Sequence, residues 1–284
     1  MLIRIGHEFI IEAEQPTLLV CLVTPHIARH NDFTGPEVVE TTPQVPVYSW
    51  FDGFGNICRR MMAPAGRFVL RGDVTLSDDG LPDPMDESAT EWPVEALPDA
   101  VLPFLSGSRY VETDLLSQQA WDLFGNTPPG WGRVQQVVDH VHNHIRFDYQ
   151  QACATRTAQG ASREAVGVCR DFAHLALGFL RALNIPARYV NGYVGDIGVP
   201  AVPDPMDFAA WIEVFIGGRW FTFDPRNNQR RIGRVVVARG RDAVDVPLLN
   251  SFGPHRLDSF TVWCHPVDAQ GNELDGMQFA PDAA

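Results

Sequence analysis

Two apolar runs joined by Gly217-Gly218 predict a β-hairpin, and its register decides which side chains can meet. The incoming run is Ala210-Trp211-Ile212-Glu213-Val214-Phe215-Ile216 and the outgoing run is Arg219-Trp220-Phe221-Thr222-Phe223-Asp224. A two-residue glycine loop between such runs selects a tight turn with one strand pairing. Ile216 then faces Arg219, Trp211 faces Asp224, and position 209 faces position 226. Ala209 and Asp224 become diagonal neighbours on one sheet face, about 7–8 Å apart. A histidine at 209 would reach that carboxylate, which is the proton acceptor and orienting acid a nucleophilic thiol requires. The residue at 209 is alanine.

A second local pattern supplies the thiol. After Gly167-Val168-Cys169-Arg170, the apolar residues Phe172, Leu175, Ala176, Phe179, Leu180 and Leu183 recur at helical spacing until Asn184-Ile185-Pro186 ends the pattern. Cys169 therefore stands at or near a helix N-terminus, where unpaired N–H groups and the helix dipole favour a thiolate. Position alone leaves two readings open, a nucleophile or a small hydrophobe in the core.

Residues 1–80 read as an all-β, sandwich-like domain. Short extended runs such as Phe9-Ile10-Ile11, Leu18 to Val23, Val45 to Phe51 and Arg67 to Arg71 alternate with turn signals. Residues 81–110 read as a linker, entered through the acidic Ser77-Asp78-Asp79-Gly80 stretch. A mixed α+β core spans 111–230, with helical spacing over Leu115 to Leu123 and Gly132 to His144. Residues 231–284 read as an extension packed on that core.

The formal charge of -13 excludes a phosphate backbone as the expected partner, because nucleic-acid binding needs clustered Lys and Arg. No apolar stretch approaches the roughly 18 residues of a membrane span, and the first residues lack the apolar core of a signal peptide. The expected location is the cytoplasm. The five cysteines are scattered without a Cys-x-x-Cys pair, so neither a disulfide framework nor a zinc knuckle is expected. No cofactor and no metal are predicted.

Four blocks in this order resemble the bacterial transglutaminase-like family: Gly167-Val168-Cys169-Arg170-Asp171-Phe172-Ala173-His174; Ile185 through Tyr193; Asp207-Phe208-Ala209-Ala210-Trp211; and Trp220 through Asp224-Pro225. The resemblance implies a papain-like core preceded by a β-rich domain. It also implies a triad of Cys, His and Asp, carried onto Cys169 as nucleophile and Asp224 as orienting acid. The histidine of the family's His-Ala-Trp string falls on Ala209. Two functions follow from the resemblance. One is a cysteine amidase, peptidase or transamidase forming an acyl-enzyme on a peptide or protein amide. The other is a relative without activity that binds such a ligand in the same cleft. Trp211 and Tyr149 are candidate cleft walls, and the oligomeric state is not specified by the sequence.

Other histidines offer themselves as replacements. His174 follows Cys169 by five residues, so it is turned away by about 140° and displaced by about 7.5 Å. His255 and His265 could enter the cleft only if the chain after the core folds back. His140 and His144 share a helix face at metal-ligand spacing, but a surface role is expected. Arg226-Asn227-Asn228 and Arg230-Arg231 form a basic cluster expected to pair with surface acids.

Overall fold

The computed structural model describes residues 1–203 and 205–280. Two four-stranded sheets share one face-to-face core. The first runs in the order β14 (His255–Val267), β1 (Leu2–Ala13), β6 (Gly66–Ser77), β3 (Val38–Thr42). The second runs β13 (Leu249–Phe252), β2 (Thr17–Cys21), β5 (Ile57–Ala63), β4 (Tyr48–Phe51). Along β6 the period-two pattern puts Phe68, Leu70, Val74 and Leu76 inward with Ile3, Ile5 and Met61. Gly72 holds the inward position between Leu70 and Val74, because a Cβ there would stand 2.4 Å from the His7 ring.

The core sheet runs β11 (Arg219–Phe223), β10 (Ala209–Ile216), β9 (Ala187–Tyr193), β12 (Val235–Gly240). A short parallel pair, β7 (Arg146–Phe147) with β8 (Val166–Gly167), lies upstream. Helices α1 (Thr113–Phe124), α2 (Trp131–His144) and α3 (Ala158–Glu164) pack around α4 (Cys169–Ala182), which also rests on β9 and β10. Every residue from Asp171 to Ala182 is buried, so α4 is enclosed on all sides rather than on one stripe. Asn184, in left-handed backbone at φ 62°, ends it as expected.

The hairpin register is the predicted one. Ile216 pairs with Arg219 and Ile212 with Phe223, with positive φ at both Gly217 and Gly218. On its other edge β10 pairs with β9, placing Ala209 opposite Gly192 and Ala210 opposite Asn191.

Residues 231–284, expected to pack on the core, are instead divided between both halves of the molecule; 281–284 lie outside the described residues. β12 joins the core sheet, whereas β13 and β14 complete the two N-terminal sheets. β14 pairs with β1 along nearly its whole length, from Leu2 with Val267 to Ala13 with His255. Such pairing depends on contacts far apart in sequence, which no local pattern announces.

His7 links the two halves. It is buried on β1, and its Nδ1 lies 2.8 Å from the Tyr193 hydroxyl on β9, which donates to the Val23 carbonyl. Burial, assisted by the Arg59 charge, lowers the His7 pKa to about 3. A depressed histidine contributes stability that is full above the unfolded value of about 6.5 and is lost as pH falls below it. Urea denaturation at pH 7.5 and pH 5 should show an acid loss about 2 kcal/mol smaller in His7→Gln than in the parent. An equal loss in both would mean that His7 is not held neutral.

Candidate thiol site at the start of α4

Cys169 is the first residue of α4, as the apolar spacing predicts. The turn that delivers it is held by Asp171, whose carboxylate accepts the Val168 N–H at 2.9 Å and Arg156 Nη1 at 3.1 Å. Gly167 is required for room: a Cβ there would lie 2.5 Å from Asp171 Oδ2. The carboxylate thus occupies the space in which any other residue at 167 would put its side chain.

Cys169 and Ala209 line one cleft of about 310 Å³, with Tyr149, Phe147, Met206 and Arg226 among the other walls. Burial pushes the Cys169 thiol up to about 11; the Ala210 backbone N–H and Arg226 oppose this, and the Asp207 and Asp224 charges add to it. Asp207 is itself raised by burial, and its Oδ1 accepts the Phe208 N–H at 2.7 Å. Phe208 anchors the strand entry. Its ring packs on Tyr193 at 4.6 Å and near Phe260 at 6.0 Å, so the β-rich half of the molecule holds residues 207–209 against α4.

Asp224 is buried and fully occupied. Its Oδ1 accepts the Arg226 and Asn227 N–H groups at 3.1 and 2.9 Å. Its Oδ2 accepts Asn227 Nδ2 at 2.8 Å and Arg234 Nη2 at 2.7 Å. Burial alone would raise this carboxyl, but Arg234 and Asn227 outweigh it and hold the pKa below its ordinary value. Arg234 also donates through Nε to Asp83 at 2.7 Å, tying the segment after the β-rich half to the core.

Trp211 does not wall the cleft. It is completely buried, with the Arg234 guanidinium 5.0 Å over its ring and its tip against Gly192. Its indole N–H has no hydrogen-bond partner among the described residues, so it does not satisfy Asp224. The reason is that residues 210–216 of β10 are all buried, leaving no exposed face for an aromatic at 211. Tyr149 does line the cleft, with its ring edge-on to Phe147. Arg226, expected as a surface cation, stacks 4.0 Å over Phe147 inside the cleft.

Of the alternative imidazoles, His255 borders a hollow that Cys169 and Ala209 also line, and the others are placed away from the thiol. His174 is buried between the Tyr110 and Tyr189 rings, and its Nε2 accepts the Ala243 N–H at 3.2 Å. His265 lies in β14 opposite Arg4. His255 Nδ1 pairs with the Ser251 hydroxyl at 2.8 Å. His140 and His144 stack on each other at 5.5 Å, and His144 Nε2 is committed to the Ser162 carbonyl. Sequence reading missed Asp207, Asn227 and Arg234. Asn227 had a signal, since an amide three residues after an acid often closes a turn on it; Arg234 had none.

Residues 119–225 match the core domain of the transglutaminase-like superfamily. The chain superposes on the crystal structure of a protein designated a "Putative Cysteine Protease from Cytophaga hutchinsonii" with a TM-score of 0.82 and 27% identity, covering 97% of this chain and 94% of that one. An uncharacterized protein of Mycobacterium bovis is 41% identical over 127 residues, which is 40% of this chain and 40% of that protein. An uncharacterized protein of Mycobacterium leprae is 39% identical over 89 residues, 30% of this chain and 32% of that protein. The matched segments thus span about a third to two fifths of these relatives' own length. No helix among the described residues is long and apolar enough to cross a membrane. A thiol at the start of an enclosed helix, Ala209 on the same cleft wall, and these similarities identify the segment 119–225 as a transglutaminase-like domain.

Proposed function

We propose that the cleft holds a peptide or protein amide against Cys169 and that acyl transfer by this thiol is slow. The observation that carries this reading is the pairing of Cys169 with Ala209 on one cleft wall, while the nearby acid is engaged by Arg234 and Asn227. Alanine can neither take nor return a proton. A thiol held near 11 has little thiolate at neutral pH, so attack on an amide lacks both the nucleophile and the acid for the leaving amine. The cleft's apolar and aromatic lining suits a peptide side chain, with Arg226 and Asp207 supplying polar contacts.

Calorimetric titration with an acetylated, amidated peptide containing a central glutamine should register binding. Intact-mass spectrometry of the same mixture should show no acyl-enzyme over the minutes in which binding is complete. A rapid burst of ammonia matching the Cys169 content would overturn the slow-transfer reading and place the base in another residue.

A further inference from the structure

Cys169, Asp207, Phe208 and Ala209 form a wall shared by two hollows. Beyond the first cleft lies a second, of about 610 Å³. Its lining comes from both halves of the molecule: Phe9, Leu257 and Phe260 from β1 and β14, and Val244 and Leu248 from the segment after β12. Arg170, Asp207, Asn250 and His255 also border it, and one buried polar side chain, Asn191, lies among the apolar walls. Asn191 is 5% exposed, and its Nδ2 donates to the Val246 carbonyl at 2.9 Å. That bond fixes which end of the amide is which, and the remaining Oδ1 is buried without a partner among the described residues. A buried acceptor in this condition is costly unless a donor arrives. Asn191 stands opposite Ala210, the residue whose N–H acts on the Cys169 thiol, so the acceptor and the thiol are adjacent to one strand pair.

We propose that the second hollow receives the residue that follows the glutamine whose side-chain amide is presented to Cys169. Its apolar side chain packs against Phe9, Leu257 and Phe260, and its N–H donates to Asn191 Oδ1. This rests on the reading of the first cleft as an amide site, and it makes the β-rich half of the molecule part of the ligand-selecting surface. Leu257 is 51% exposed, so it is the wall most open to an incoming side chain.

The test uses the parent protein and three peptides alike except after a central glutamine: leucine, aspartate, or N-methylated leucine. The leucine peptide should bind about tenfold more tightly than the aspartate peptide, since burying a leucine side chain is worth at least that factor. N-methylation should cost a comparable factor in the parent and little in Asn191→Ala. Leu257→Asp, at an exposed position, should erase the leucine preference while leaving the fold intact. Shielding of Cys169 from iodoacetamide, read by peptide mapping, reports separately from the leucine preference whether a peptide reaches the thiol on the shared wall. Peptides that shield the thiol without any leucine preference would overturn this proposal and leave the amide-site reading standing. Peptides that neither bind nor shield the thiol would overturn both. An N-methylation penalty that persists unchanged in Asn191→Ala would remove Asn191 from the account.

Discussion

Ala209→His raises turnover of a glutamine-containing peptide by about 10²–10⁴-fold over the parent, the range a positioned general base supplies. The geometry needed is already built. Ala209 opens β10 on the cleft wall that carries Cys169, faces Gly192 across the ladder, and is kept there by the Phe208 anchor. A histidine at 209 then takes the thiol proton and returns it to the leaving amine. Asp224 Oδ2 is shared by Asn227 and Arg234, so the imidazole competes with an amide for its orienting acid. The gain therefore falls toward the lower end of the range, and adding Asn227→Ala moves it upward. Ammonia release checks this, with Cys169→Ser in the same background returning the rate to that of the parent. No gain on any amide, with an ordered imidazole at 209, would mean that the cleft has been remodelled for binding beyond this one residue.

Arg234→Met destabilises the protein by about 3–5 kcal/mol at pH 7.5, because it leaves carboxylates buried without their cation. Arg234 reaches Asp224 and Asp83, and the side chains of both are largely buried. The pH dependence identifies the cause. In the parent, Asp224 is held below its ordinary pKa, so its contribution is present above an unfolded value of about 3.9 and lost as pH falls through the lower folded value. Without Arg234, burial dominates and raises the carboxyl, so the variant gains relative stability on acidification. Denaturation curves should show the gap between parent and variant narrowing from pH 7.5 to pH 4. A gap that stays constant over this interval would mean that lost packing on Trp211, rather than the ion pairs, accounts for the effect.

The parts of this site that the sequence discloses are those written in local patterns. The Gly217-Gly218 loop gives the hairpin register, and the apolar spacing after Cys169 gives α4 and its start. The parts it conceals depend on partners distant in the chain. Arg234 lies ten residues beyond Asp224 and meets Asp83 in the segment after the β-rich half, so neither periodicity nor turn chemistry points to it. β14 closes the first sheet against β1 from the far end of the chain. Trp211 looks like a cleft aromatic in a hairpin viewed alone, but β9 pairs along β10 and residues 210–216 are all buried. Gly167 was legible as a glycine at a turn, yet its reason is the Asp171 carboxylate packed where a Cβ would stand.

The measurement that most directly tests the missing proton acceptor is the pH dependence of Cys169 alkylation by iodoacetamide in the parent and in Ala209→His. Peptide mapping must separate it from Cys153, a partly exposed thiol whose pKa is lowered by Thr155 and which should react first in the parent. The parent rate at Cys169 should climb with pH without levelling until it approaches about 11, the value set by burial. Ala209→His should add a plateau beginning near neutral pH, as an imidazolium stabilises the thiolate. A parent profile that already levels off below pH 8 would contradict the account, because a base other than one at position 209 would then serve the thiol, with His255 in the adjoining hollow the first to mutate.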